Sequence, residues 1–217
     1  MDGIKSKERV QQYGEVFTPD SIVNDMIDLV DNELKKDGTD PNAYIDKTWL
    51  EPACGDGQFL IRILYRKLEA VKELPIEQRP LAIVRSLSTI YGVDIQEDNV
   101  VQARERMLKL LCGKLVETFD INSRYDICID TGVEIKDKLE LAVNHILERN
   151  IQRGDTLKPE ELKLTEWKFS GEDVSTKTFM LSALNEPIQE FNTVNYLDLP
   201  SRLNGASDND EASFDDF

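Results

Sequence analysis

Apolar residues recur along this chain in blocks, most of them at helical spacing. Ile22, Val23, Met26, Ile27, Val30 and Leu34 follow the three-and-four spacing of a helix. Thr18 stands before them as a cap, Pro19 suits the first helical position, and Asp20 complements the positive helix end. This helix is predicted to stop near Lys36, ahead of Asp37-Gly38, and Asp40 to Tyr44 is turn-rich. Thr48 to Glu51 reads as a short strand that Pro52 ends. A second helix opens around Gln58, with Phe59, Ile61, Leu64, Leu68 and Val71 on one face. Pro75 to Pro80 breaks the pattern, and Leu81 to Leu87 forms a short helix.

The β-branched and aromatic run Thr89 to Val93 predicts a second strand. Asp98 can cap the next helix, which carries Val100, Val101, Met107, Leu108 and Leu111. Phe119 to Thr131 reads equally as strand or buried loop around Tyr125 to Ile129. Leu139, Ala142, Val143 and Ile146 mark another helix, and Asn150 to Arg153 a third short strand ending at Gly154-Asp155. Strands separated by helices of this length pair in parallel through right-handed crossovers. The expectation is an α/β fold with a mostly parallel sheet and flanking helices. Beyond Asp155 the pattern weakens: Thr165 to Phe169 reads as a strand, and Phe179 to Leu184 as a short helix or strand. Residues 1–200 are expected to form one domain, and the acidic 201–217 a disordered tail.

Composition narrows the function classes. There is no apolar run long enough to cross a membrane, and the charged Met1 to Val10 is no secretory signal, so a cytoplasmic protein is expected. Cys54, Cys112 and Cys128 are dispersed and read as small buried residues of a reducing compartment. The single histidine, His145, lies in a helical pattern and is expected at a surface or half-buried position, so no metal site is expected. The net charge of −16 disfavours DNA as a direct partner, because DNA affinity comes largely from cations on phosphates.

Three loops leave the carboxyl ends of the predicted strands, where ligands of such sheets bind. The first is Glu51-Pro52-Ala53-Cys54-Gly55-Asp56-Gly57-Gln58-Phe59. Gly55 and Gly57 permit a sharp turn and let a ligand lie against the backbone. Leu60 stands where a dinucleotide loop needs its third glycine, and no phosphate-loop Gly-Lys-Ser/Thr is present. The second loop begins at Asp94, an acid placed to accept from both ribose hydroxyls, with Ile95 beside it to pack on a base. The third is Gly154-Asp155-Thr156, whose acid can accept from an exocyclic amine.

Taken in order, Gly14 to Pro19, Glu51 to Phe59, Gly92 to Ile95 and Gly154-Asp155 resemble the amino-terminal half of N6-adenine DNA methyltransferases of the restriction-modification kind. The resemblance spans roughly residues 10 to 157. It implies a Rossmann-like class I methyltransferase fold and S-adenosylmethionine as cofactor. It also implies that Phe17, Thr18, Pro19, Glu51, Ala53, Gly55 and Gly57 hold the methionine end, Asp94 the ribose, Ile95 the adenine face and Asp155 the adenine amine. The family's catalytic Asn/Asp/Ser-Pro-Pro-Tyr/Phe tetrapeptide does not occur, so the fold is expected to be truncated or divergent towards its C-terminal side. The nearest string, Asn185-Glu186-Pro187-Ile188, keeps Asn185 and Pro187 and lacks the aromatic ring. Three readings stay open: an adenine methylase subunit or divergent enzyme working with a protein partner or as a homo-oligomer, an inactive cofactor-binding sensor or regulator, and an acidic DNA mimic.

Overall fold

The computed structural model describes residues 18, 20–34, 40–113 and 129–199. The expectations for Phe17, Pro19, the Thr18-Pro19 cap, the segment 119–128 with Cys128, and the tail 201–217 lie outside these residues. The architecture is mixed α/β: a three-stranded parallel sheet with flanking helices, followed by a separate three-stranded antiparallel sheet. Helix α1 is Asp20–Leu34, α2 Pro41–Ile45, strand β1 Trp49–Glu51, α3 Gln58–Lys72, α4 Arg79–Ser88, β2 Ile90–Asp94, α5 Glu97–Leu111, α6 Asp137–Asn150 and β3 Ile151–Arg153. The antiparallel strands are β4 Lys163–Ser170, β5 Asp173–Met180 and β6 Pro187–Asn195.

The expected parallel sheet with flanking helices is present in β1, β2 and β3; the second, antiparallel sheet was not expected. Half of the strands form the antiparallel meander, in which alternation places Thr165, Trp167, Val174 and Thr176 inward and charged residues outward. Two of those four inward residues are threonines, so the chain gives little apolar alternation there. Phe179 and Met180 close β5, and a turn rather than a helix follows. Asp40 to Tyr44 also differs from expectation: Pro41 opens the short helix α2, and the Asp40 carboxylate caps it by accepting from the Asn42 amide at 3.0 Å.

The parallel sheet runs β1-β2-β3, with Glu51 opposite Gly92 and Asp94 opposite Arg153. Gly92 lies where α3 crosses β2: a Cβ there would come within 2.7 Å of the Leu60 side chain. The core joins Leu60, Leu64 and Leu68 of α3, Ile83 and Leu87 of α4, Ile90 of β2, Met107 and Leu110 of α5 and Ile146 of α6, all buried. Lys67 of α3 is buried within this core. Its ammonium donates to the carbonyls of Ile45 and Lys47 at 2.6 Å each and to Thr89 Oγ1 at 2.8 Å. It therefore ties the entry to β1 to the entry to β2, while burial pushes its pKa down to about 7.

The meander packs on the other elements through α6 and α4. Trp167 Nε1 donates to Asn150 Oδ1 at 2.9 Å, and Tyr91 Oη to the Thr165 carbonyl at 2.7 Å. His145 also belongs to this interface; at 8% exposure, edge-on to Trp167, it is buried rather than at the surface or half-buried as expected. Among the described residues no helix is long and apolar enough to cross a membrane.

Candidate functional site

The three loops meet at the carboxyl end of the parallel sheet, joined by main-chain and side-chain hydrogen bonds. The Cys54 amide donates to the Val93 carbonyl and the Gly154 amide to the Asp94 carbonyl, each at 2.9 Å. Thr156 Oγ1 reaches the Pro52 carbonyl at 3.2 Å, closing the third loop on the first. Thus the structure brings together Glu51, Ala53, Gly55, Gly57, Asp94 and the Asp155 loop, as the sequence suggested. Thr18, the described residue of its segment, is half-buried ahead of α1.

Asp94 is the hub. Its Oδ2 accepts from the Gly55 amide at 2.9 Å, and its Oδ1 accepts from the Gln96 amide at 2.8 Å and from Asn99 Nδ2 at 3.1 Å. A carboxylate has about four acceptor positions, so one remains, on Oδ2. That is the position left for the ribose hydroxyls expected at this acid. Asp98 is not the cap it was read to be: α5 starts at Glu97 with Gln96 at its N-cap, and Asp98 lies in the first turn. Asp94 organises that turn in its place.

The glycines divide their work. Gly55, at φ 53°, aims its amide at Asp94. Gly57, at φ 92°, is the N-cap of α3, and a Cβ there would meet Ala103 Cβ of α5 at 2.9 Å. Gly57 therefore permits the close approach of two helices. Gly154 is equally confined, a Cβ there falling 2.1 Å from the Leu162 side chain.

The electrostatics of the loop are acidic. Glu51 is half-buried at the β1 tip, accepts from the Ala53 amide at 3.2 Å, and has its pKa raised by burial. The buried Cys54 thiol is pushed up to about 12, first by burial and then by the charges of Asp94, Glu51 and, more weakly, Asp56. A thiol held protonated in this way is no nucleophile. Of the three acids, Asp56 pairs with Arg106 at 3.0 Å; among the described residues no cation pairs with Glu51 or Asp94. Asp155 spends Oδ1 on the Leu157 amide at 3.0 Å, a local turn bond. Ile95 and Leu157 stand exposed at the rim, at 46% and 90%.

Asn185 lies in the β5–β6 turn and Pro187 opens β6. The Ser182 amide, in that same turn, donates to the Pro159 carbonyl at 3.1 Å, so the turn lies beside the segment that follows the third loop. The string nevertheless belongs to the meander and does not follow a parallel strand, and Ile188 is 52% exposed. A cavity of about 510 Å³ opens elsewhere, at the amino ends of β1 and β2, among Thr48, Thr89, Arg85, Trp167 and Phe169. None of the sequence-predicted residues lines it.

Sequence reasoning passed over Asn99 and Arg106. Both are polar residues on the buried face of α5, at 1% and 6% exposure. Their signal was present: each falls at helical spacing among the apolar positions Val100, Ala103, Met107 and Leu110.

No known family model matches this chain. No curated protein and no solved structure matches it either. The site must be read from its own chemistry.

Proposed function

We propose that this chain binds S-adenosylmethionine at the carboxyl end of its parallel strands, in a Rossmann-like class I methyltransferase fold. The observation that carries the reading is the acidic loop: the Cys54 thiol feels Asp94, Glu51 and Asp56 together, and only Asp56 has a cationic partner among the described residues. Such a field disfavours the phosphates of a dinucleotide and suits a nucleoside bearing a sulfonium and an ammonium. The donor set fits that group. Glu51 would hold the ammonium, the remaining acceptor of Asp94 a ribose hydroxyl, Ile95 the adenine face and Asp155 Oδ2 the adenine amine. When bound, the cofactor supplies an electrophilic methyl group. This chain's part is to bind and orient it.

The order of segments from Gly14 to Asp155 supports an adenine-N6 methylase subunit that works with a partner. A second reading, cofactor binding without transfer, is favoured by the string that leads from the β5–β6 turn into β6, where Ile188 offers no ring to stack on a base. Calorimetric titration with S-adenosylmethionine, its demethylated product, NAD and ATP tests the binding. The expected result is binding of the first two and none of the phosphate-bearing pair; the reverse order overturns the proposal. Transfer of labelled methyl to DNA of mixed sequence then separates subunit from sensor.

A further inference from the structure

We infer that the outer face of α1 is a docking surface for an amphipathic helix of a partner protein whose apolar stripe is bordered by lysines and arginines. The inference concerns a surface separate from the loop site and stands without the cofactor reading. Ile22, Val23, Met26, Ile27 and Val30 recur at helical spacing. The structure buries only Val23 and Ile27 of these, at 0% and 2% exposure. Ile22, Met26 and Val30 stay 46%, 50% and 45% exposed, and Leu29 is 71% exposed. On a helical wheel these four form one continuous stripe beside the buried pair. The apolar surface of α1 is therefore wider than the part the core beneath it covers.

The helix is not free to roll and hide this stripe. Asp31, 1% exposed, accepts from Tyr44 Oη of α2 at 2.8 Å and pairs with Arg66 of α3. Arg66 also holds Asp28 at 2.7 Å. Rolling α1 would strip a buried carboxylate of its guanidinium and hydroxyl partners, which is strongly unfavourable. The stripe is thus presented outward by a fixed docking. Exposed contiguous apolar surface of this kind marks an interaction site.

Charge selects the occupant. The far border of the stripe is formed by Asp25, Asp28 being held by Arg66 further round the helix, and α1, DSIVNDMIDLVDNEL, contains no lysine or arginine. A second copy of the chain would set acid against acid, within a molecule of net charge −16, and an anionic lipid surface would be repelled likewise. An apolar helix carrying cations along one border satisfies both features at once.

The test uses the full chain and a fluorescein-labelled amphipathic helical peptide of leucines and lysines. Saturable binding is expected, weakened by salt and weakened about tenfold or more by Leu29→Asp and by the gentler Met26→Gln. Leu141→Asp, at an exposed position of α6, should leave the affinity unchanged, and a leucine–glutamate peptide should not bind. Equal binding by the Leu29→Asp protein would reduce the effect to general acidity and overturn the inference. So would a dimer that Leu29→Asp dissociates, since the occupant would then be a second copy. A markedly lowered melting temperature for Met26→Gln, which adds no charge, would mean that the stripe is covered within the chain itself, with the same consequence.

Discussion

Asp94 accepts three hydrogen bonds, from Gly55, Gln96 and Asn99, and so joins the first loop to the start of α5. Removing its oxygens leaves those donors unpaired in a partly buried turn. Asp94→Ala should destabilise the fold by about 2–3 kcal/mol, read by urea denaturation, and also abolish cofactor affinity. Asp94→Asn keeps one acceptor and should lie between the two. Glu51 offers a subtler test. Burial raises its pKa, so on acidification it loses its charge earlier than an ordinary glutamate. Affinity for a cationic nucleoside should therefore fall as pH is lowered towards the carboxylate range, and Glu51→Gln should flatten that dependence in calorimetry. The single histidine works on stability instead. His145 Nδ1 lies 3.1 Å from Arg149 Nη1, which can only donate, so the ring accepts there and carries its proton on Nε2. Burial, and then the Arg149 charge, push its pKa down to about 4 from 6.5. A group depressed on folding contributes fully above its unfolded value and loses that contribution as pH falls through the folded one. Stability should thus drop by about 2–3 kcal/mol between pH 6.5 and 4 from this residue. The difference between wild type and His145→Phe across that window isolates it from the titrating carboxylates.

Among elements, the α3–α5 contact joins close packing to a left-handed backbone. Gly57 combines a left-handed backbone with 2.9 Å of room before Ala103 Cβ and 3.1 Å before its Cα. Gly57→Ala must both strain φ and push the helices apart, and should cost about 2–4 kcal/mol by chemical denaturation. An intact fold of unchanged stability would mean that the glycine serves the ligand after all. The helices and parallel strands were legible because each has a buried face of apolar residues at its own period: α3 and β2 begin and end within about two residues of the sequence expectation, while α6 runs on to Asn150, which was read as strand. The loops were legible because glycines and acids sit at strand ends. What escaped reading were polar residues doing core work. Thr165 and Thr176 face inward in the meander, Asn99 and Arg106 are buried on α5, and Lys67 lies under four oxygens. A hydropathy pattern scores all of these as solvent positions. On α1 the helix was read from its spacing, but apolar spacing tells that a face exists and not what covers it.

For the molecule as a whole, charge is the dominant collective property: 42 acidic against 26 basic side chains give −16. Such a surplus works against the compact state, because each carboxylate lies nearer to others when folded than when unfolded. The ion pairs that organise the fold, Arg66 with Asp31 and Arg106 with Asp56, involve largely buried groups, which salt screens poorly. The repulsion, by contrast, acts between exposed groups across water, at distances comparable with the screening length of about 10 Å at 0.1 M salt. Raising sodium chloride should therefore remove more repulsion than attraction. The expected outcome is a melting temperature that climbs by several degrees between low and roughly physiological ionic strength, measured by calorimetry, with the buried pairs intact. A melting temperature that falls over the same range would mean that exposed pairs such as Arg85 with Asp46 outweigh the net repulsion. The acidic loop around Cys54 would then be one member of a balanced surface, and its field too weak to choose a cationic ligand.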